Sequence, residues 1–224
     1  MKQVSISTSY KNKAFGLGVG LLTSLSVLGI ANTAHAIVLN VGSQTSTFTG
    51  LTRGFFFTAP TNFTITGLGV PTDASTDNFD VALLKFNVTP PQFSASTIDF
   101  STLFLSRDNA GSALLATNIN IQAGDIIGVF GSRGPNSINS YGANNFNTTI
   151  LGQSVTLTRL IMQNDLRFFD PSAIGVSTES GSSTLGRVFI NIEETQSVPE
   201  PVTILGTLLA GSLGVAFKKK QQSL

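Results

Sequence analysis

The chain has 224 residues, 41% hydrophobic and 11% charged, with a formal net charge of +1. That sum hides an acidic middle: between Ile37 and Ser197 seven bases stand against eleven acids, a net charge of −4. With no basic run there to neutralise consecutive phosphates, nucleic acid is excluded as a partner. Cysteine is absent and His35 is the only histidine, which removes disulfides, thiolate metal sites, a thiol nucleophile and a histidine general base.

The first segment, 1–36, reads as a secretory signal peptide. Lys2, Lys11 and Lys13 precede a charge-free, mostly apolar run from Ala14 to Ile30, and Ala34-His35-Ala36 supplies small residues at the two positions a signal peptidase pocket accommodates. The exported chain is expected to begin at Ile37.

From Ile37 to Ile192, short runs rich in Val, Ile, Phe and Thr recur between turn residues, which predicts an all-β domain built as a two-sheet sandwich. Strands are expected over 37–41, 54–58, 63–70, 79–88, 103–106, 114–121, 126–131, 155–162 and 188–192. Phe55-Phe56-Phe57 points rings to both faces, so that strand needs cover on both sides. Phe63-Thr64-Ile65-Thr66-Gly67-Leu68 alternates, which predicts one buried face. Gln122-Ala123-Gly124-Asp125 is expected to close a hairpin between Leu114–Ile121 and the apolar run from Ile126 to Gly131.

Three features bear on chemistry. Asp73, Asp77 and Asp80 fall close together beside Asn78, the type of hard oxygen ligand that calcium takes, although the spacing is not that of an EF-hand; the alternative is a solvated turn. Tyr141 sits among amides in Asn136–Asn145, expected as a flexible polar loop in which Tyr141, Asn139 and Asn144 would contact a sugar; the alternative is an interior phenol. Catalysis is disfavoured: no glutamate precedes Glu179, no strand alternates carboxylates along a cleft, and no Gly-x-Ser-x-Gly elbow or histidine base is present. No cofactor other than calcium is suggested.

Residues 193–197 form a polar spacer without hydrophobic period. Val198-Pro199-Glu200-Pro201 follows, extended because each proline disfavours helix at the residue before it. Val202–Phe217 carries no charge and as a helix would reach ~24 Å, somewhat short of a ~30 Å hydrocarbon core. Lys218, Lys219 and Lys220 would stop it on the cytoplasmic side. These three elements in order, over 198–224, resemble the PEP-CTERM sorting signal. The resemblance implies recognition by an exosortase, a membrane transpeptidase-like cysteine protease, at or near Pro199-Glu200-Pro201, and association with surface polysaccharide. Lysines stand where arginine is commoner in such tails, which leaves the charge rule intact. An ordinary tail anchor is the alternative. Upstream, Phe57-Thr58-Ala59-Pro60 through Leu68 resembles the jelly-roll-like extracellular domains that often precede this tail.

The expectation is therefore an exported, non-enzymatic envelope or extracellular-matrix protein, structural or adhesive. The alternatives are a carbohydrate-binding module and, behind it, a sandwich hydrolase or lyase.

Overall fold

The computed structural model describes residues 36–195. The expected signal segment with Ala34, the sorting motif Val198, Pro199, Glu200 and Pro201, the apolar stretch 202–217 and Lys218, Lys219 and Lys220 lie outside the described residues. Fourteen strands follow one another: β1 (Ile37–Val38), β2 (Ser46–Phe48), β3 (Arg53–Thr58), β4 (Phe63–Gly69), β5 (Phe79–Phe86), β6 (Phe100–Asn109), β7 (Leu115–Ile121), β8 (Ile126–Arg133), β9 (Asn139–Ala143), β10 (Phe146–Ile150), β11 (Gln153–Met162), β12 (Val176–Thr178), β13 (Thr184–Gly186) and β14 (Phe189–Glu194). A single 3-10 turn, Leu166–Phe168, lies between β11 and β12. Among the described residues no helix is long and apolar enough to cross a membrane.

The strands form three antiparallel sheets. One has the order β1-β14-β4-β7, the largest has β10-β11-β3-β8-β5-β6 with β12 also on β11, and a small one has β13-β9-β2. Phe63, Ile65, Ile121, Ile190 and Ile192 of the four-stranded sheet share one buried cluster with Phe55, Phe57, Val81, Leu83, Ile127, Val129 and Leu157 of the largest sheet. A second cluster covers the opposite face of the largest sheet, where Ala82, Leu84, Phe86, Phe130 and Leu160 meet Leu166, Phe169 and Val176. The Phe55-Phe56-Phe57 triplet thereby has cover on both sides, since Phe56 packs against this second cluster. Apolar area buried on both faces of one sheet is the main source of stability here, at about 25 cal/mol per Å².

Several expectations are corrected. The hairpin expected across residues 122–125 is not one: β7 pairs with β4 in one sheet and β8 pairs with β3 and β5 in another. The turn is an arch between layers, laid beside a second arch at 59–62. Ala59 N–H donates to the Asp125 carbonyl (2.8 Å), Gly124 N–H to the Ala59 carbonyl (2.9 Å) and Ala123 N–H to Asn62 Oδ1 (2.8 Å). Apolar density on both flanking runs does not distinguish pairing in one sheet from burial in two.

The alternation read in β4 also breaks, because a register shift between Ile65 and Gly67 inserts a bulge. Leu68 therefore joins Phe63 and Ile65 in the same cluster rather than facing away. β14 runs through Glu193 and Glu194, paired with Thr64 and Phe63, two residues beyond the expected end at Ile192. Residues 139–143, expected as a flexible loop, are a strand held on both edges by β2 and β13. Its polar side chains face inward: Asn139 bonds backbone groups, while Ser140 Oγ and the Tyr141 hydroxyl accept from Arg187 and Arg159.

The two ends of the domain lie side by side, with Ile37 opposite Ile192. Phe63, Ile121, Ile126 and Phe86 share that end, whereas Gly69, Phe79, Asn109 and Arg133 lie at the other.

Candidate functional site

A cleft of about 670 Å³ lies at the end of the domain away from the chain ends. Asp77, Asn78, Asp80, Asp108, Gly134 and Arg167 line it. Asp80 enters it as the second residue of β5 and is only 2% exposed. Its Oδ1 accepts from Asp108 N–H (2.7 Å), and Asn78 Nδ2 donates to Asp108 Oδ1 (2.9 Å). Asp108 itself has a positive φ of 55°, a conformation aspartate tolerates better than most residues. Arg167, on the 3-10 turn, closes the far wall by donating to the Gly134 carbonyl (2.6 Å).

Arg167 Nε lies 3.8 Å from Asp80 Oδ2, at the outer limit of an ion pair. Burial wins over it: loss of water pushes the Asp80 carboxyl up, against the Asp108 N–H and Arg167, and with Asp165 and Asp108 acting in the same sense as burial. The sign of the consequence is definite. The unfolded chain releases this proton first, so ionising Asp80 lowers stability as pH climbs from about 4 through its raised value, and has no further effect above it. Asp80→Asn cannot ionise. Its melting temperature relative to the parent should rise between pH 4 and 7 in thermal scans; a falling difference would mean that Arg167 stabilises the anion.

The three aspartates grouped by sequence have separate partners. Asp73 pairs with Arg187. Although burial opposes ionisation there, Ser140 and Arg187 outweigh it and hold the carboxyl below its ordinary range. Asp77 Oδ2 accepts from Ser75 Oγ (3.0 Å) while its carbonyl accepts from Arg133 (2.6 Å). Asp80 is in a strand rather than a loop. Among the described residues no group of three or more His, Cys, Asp or Glu is arranged to hold a metal ion.

Tyr141, Asn139 and Asn144 are brought together, but facing inward. Tyr141 is 7% exposed, stacked on Phe48 at 5.5 Å between centroids, with the Arg159 guanidinium 5.1 Å from its ring. Its hydroxyl accepts from Arg159 (3.2 Å). Asn139 Oδ1 accepts from Arg53 N–H (2.8 Å), and its Nδ2 lies within donating distance of the Phe48, Leu51 and Ser137 carbonyls. Asn144 Oδ1 accepts from Arg159 N–H (2.8 Å) and its Nδ2 donates to the Ser182 carbonyl (2.9 Å). All three therefore fasten the small sheet to the largest one.

The arginines were not legible as interior residues. Arg53, Arg133, Arg159 and Arg187 are buried, and each guanidinium lies within 6 Å of an aromatic ring centroid. Of the remaining cations, Lys85 pairs with Asp125 (2.7 Å), and Arg107 donates to the Leu166 and Phe169 carbonyls (3.2 and 2.8 Å). Every Lys and Arg among the described residues thus has an intramolecular partner, and these residues present no free basic patch.

A second, smaller groove of about 310 Å³ runs between the 93–96 loop and residues 163–164, floored by Ser177. Comparison with family models, curated proteins and solved structures finds no match to this chain.

Proposed function

We propose that this chain is an exported, non-enzymatic protein of the cell envelope or extracellular matrix, a jelly-roll-like two-sheet sandwich sorted through its Val198-Pro199-Glu200-Pro201 signal. Its role on this reading is structural or adhesive, and its processing partners are a signal peptidase and an exosortase-like transpeptidase. The tail at 198–224 carries the reading: a stiff acidic motif, an uncharged run close to membrane length and a lysine stop, in that order.

Two features of the domain support it. β1 begins at Ile37, the residue directly after Ala34-His35-Ala36, so release of 1–36 would leave the fold with all its strands. Because Ile37 and Ile192 are opposite each other, the chain leaves the domain beside the point where it begins. A tail anchored in a bilayer would then hold the domain by one end. The six residue steps of β5 from Phe86 to Asp80, at about 3.3 Å each, would place the Asp80 cleft roughly 20 Å farther out.

The sheets sharing one core cluster support the sandwich. The absence of cysteine, and of any histidine after His35, supports a role without turnover. The carbohydrate-binding alternative is favoured by one specific observation, the neutral groove beside Phe93.

Intact-mass measurement on protein from the producing cells tests the sorting. A species beginning at Ile37 and ending near Pro199–Pro201, with or without added glycan, is expected. Scrambling Pro199-Glu200-Pro201 should leave material extending to Leu224. A parent chain that itself runs to Leu224 would establish an ordinary tail anchor instead.

A further inference from the structure

The groove beside Phe93 is built by long-range contacts. The segment from Pro91 to Thr97 is pinned to β12 on either side of Ser177: Phe93 N–H donates to the Thr178 carbonyl (2.9 Å), Thr178 N–H to the Pro91 carbonyl (2.8 Å), and Thr97 and Val176 exchange two hydrogen bonds (2.9 Å each). Residues 93–96 bulge outward between these anchors. Gly175 permits the approach, since a Cβ there would lie 2.4 Å from Ser96 Oγ. The facing wall is Gln163 and Asn164, fixed by Thr52 N–H donating to the Asn164 carbonyl (2.9 Å) and by Asn164 Oδ1 accepting from Asp165 N–H (2.8 Å).

Its chemistry is selective. No charged side chain lines the groove; Ser94, Ser96, Gln163, Asn164 and Ser177 supply hydroxyls and amides that both donate and accept. Among the described residues, the side chains of Ser94, Ser96 and Gln163 and the Asn164 Nδ2 make no hydrogen bond within the protein. Phe93 lies at the rim with 54% of its surface exposed, while most phenylalanines of the domain are buried or partly covered. A phosphate or a carboxylate would lose its hydration shell here with no cation to replace it. A purely apolar ligand would strand the hydroxyls and amides. A sugar fits both parts, because its hydroxyls also donate and accept and its ring carbons present a C–H face that can lie on an aromatic ring.

We propose that the Phe93–Asn164 groove binds a neutral polysaccharide, with Phe93 as the stacking surface and Gln163, Asn164 and the serines as the hydroxyl-reading groups. The proposal deepens the envelope reading by naming the partner class of a surface adhesive. A volume near the lower end of the ~300–1,000 Å³ usual for small-ligand sites points to a short stretch of chain held weakly, with Kd on the order of 1 mM.

The test is calorimetric titration of the full-length chain, in a detergent without a sugar headgroup, with dextran, laminarin and glucomannan, and with alginate as the acidic comparator. At least one neutral glycan should bind with little dependence on salt. Phe93→Ala should weaken it about tenfold or more and Gln163→Ala severalfold, with the melting temperature of both variants within ~2 °C of the parent because both side chains are exposed. Binding of none of the neutral glycans, binding unchanged in Phe93→Ala, or a preference for alginate that salt abolishes would each overturn the proposal. Because this experiment reads the groove and the mass measurement reads the tail, either idea can fail while the other stands.

Discussion

Arg133→Met is expected to lower the melting temperature by roughly 10 °C or more, one of the two largest single-residue losses in the domain. Arg133 is 1% exposed, at the end of β8, and its guanidinium donates to four backbone carbonyls. Nε reaches Val70 (3.2 Å) and Pro71 (2.9 Å), one terminal nitrogen reaches Asp77 (2.6 Å) and Gly111 (3.0 Å), and the other reaches Val70 again (2.6 Å). Three separate stretches, 70–71, 77 and 111, thus converge on one side chain. Methionine fills much of the space but leaves the buried Val70 and Pro71 carbonyls without donors, at about 1–3 kcal/mol each before relaxation, and hands the part-buried Asp77 and Gly111 carbonyls to water.

Even partial rescue by water leaves a net loss of ~3–5 kcal/mol, comparable to breaking a buried ion pair. For a domain of this size 1 kcal/mol corresponds to about 2–4 °C. Arg133→Lys should recover only part of the loss, since an ammonium has three donors and lacks the planar fork. Because Asp77 and Gly134 border the Asp80 cleft, the same variant should also loosen that wall, read as faster amide exchange across 70–78. Unfolding of Arg133→Met within ~2 °C of the parent would show that the carbonyls are satisfied without it.

What made this residue invisible in the sequence also explains which parts of the fold were legible. Phe55-Phe56-Phe57 announces a two-faced strand because its neighbours in the chain carry the information, and the structure covers both faces. Arg133 is interior because of carbonyls 22 to 63 residues away, and nothing local marks it. The same holds for the amides of Asn139 and Asn144: polar composition predicts a loop, whereas their partners on distant segments turn it into an internal strand.

The Asp73, Asp77, Asp80 group is dispersed for the converse reason. Closeness along the chain is real, but Arg187 draws Asp73 away and β5 draws Asp80 into the sheet. Of the candidate sites, the Asp80 cleft was half legible, through two of its aspartates. The Phe93 groove was not legible at all, because its walls come from segments some 70 residues apart.

The closest backbone approach in the domain should be the least forgiving position. A Cβ at Gly54 would sit 1.8 Å from the Val129 carbonyl oxygen, and one at Gly186 would sit 2.5–2.6 Å from the Arg53 carbonyl group and the Gly54 nitrogen. Neither glycine has a positive φ, so the requirement is space and not conformation. Gly54 lies inside β3, hydrogen-bonded between β8 and β11, and Gly186 ends β13 directly against it. The obstructing atoms are backbone in the middle of the largest sheet and cannot rotate aside.

Gly128 gives the internal comparison. A Cβ there would meet the edge of the Phe86 ring at 2.4 Å and a Leu160 methyl at 2.8 Å, both side-chain atoms. Overpacking against movable side chains costs about 1–3 kcal/mol. Displacing paired backbone should exceed that, at roughly 4 kcal/mol or more for Gly54→Ala. Gly111→Ala, with open space but a φ of 80°, should cost only about 1 kcal/mol. Urea unfolding midpoints should therefore fall in the order Gly111→Ala, Gly128→Ala, Gly54→Ala, with Gly186→Ala beside the last. If Gly54→Ala unfolds at the same midpoint as Gly111→Ala, β3 and β8 do not approach each other as closely at Gly54 and Val129 as described.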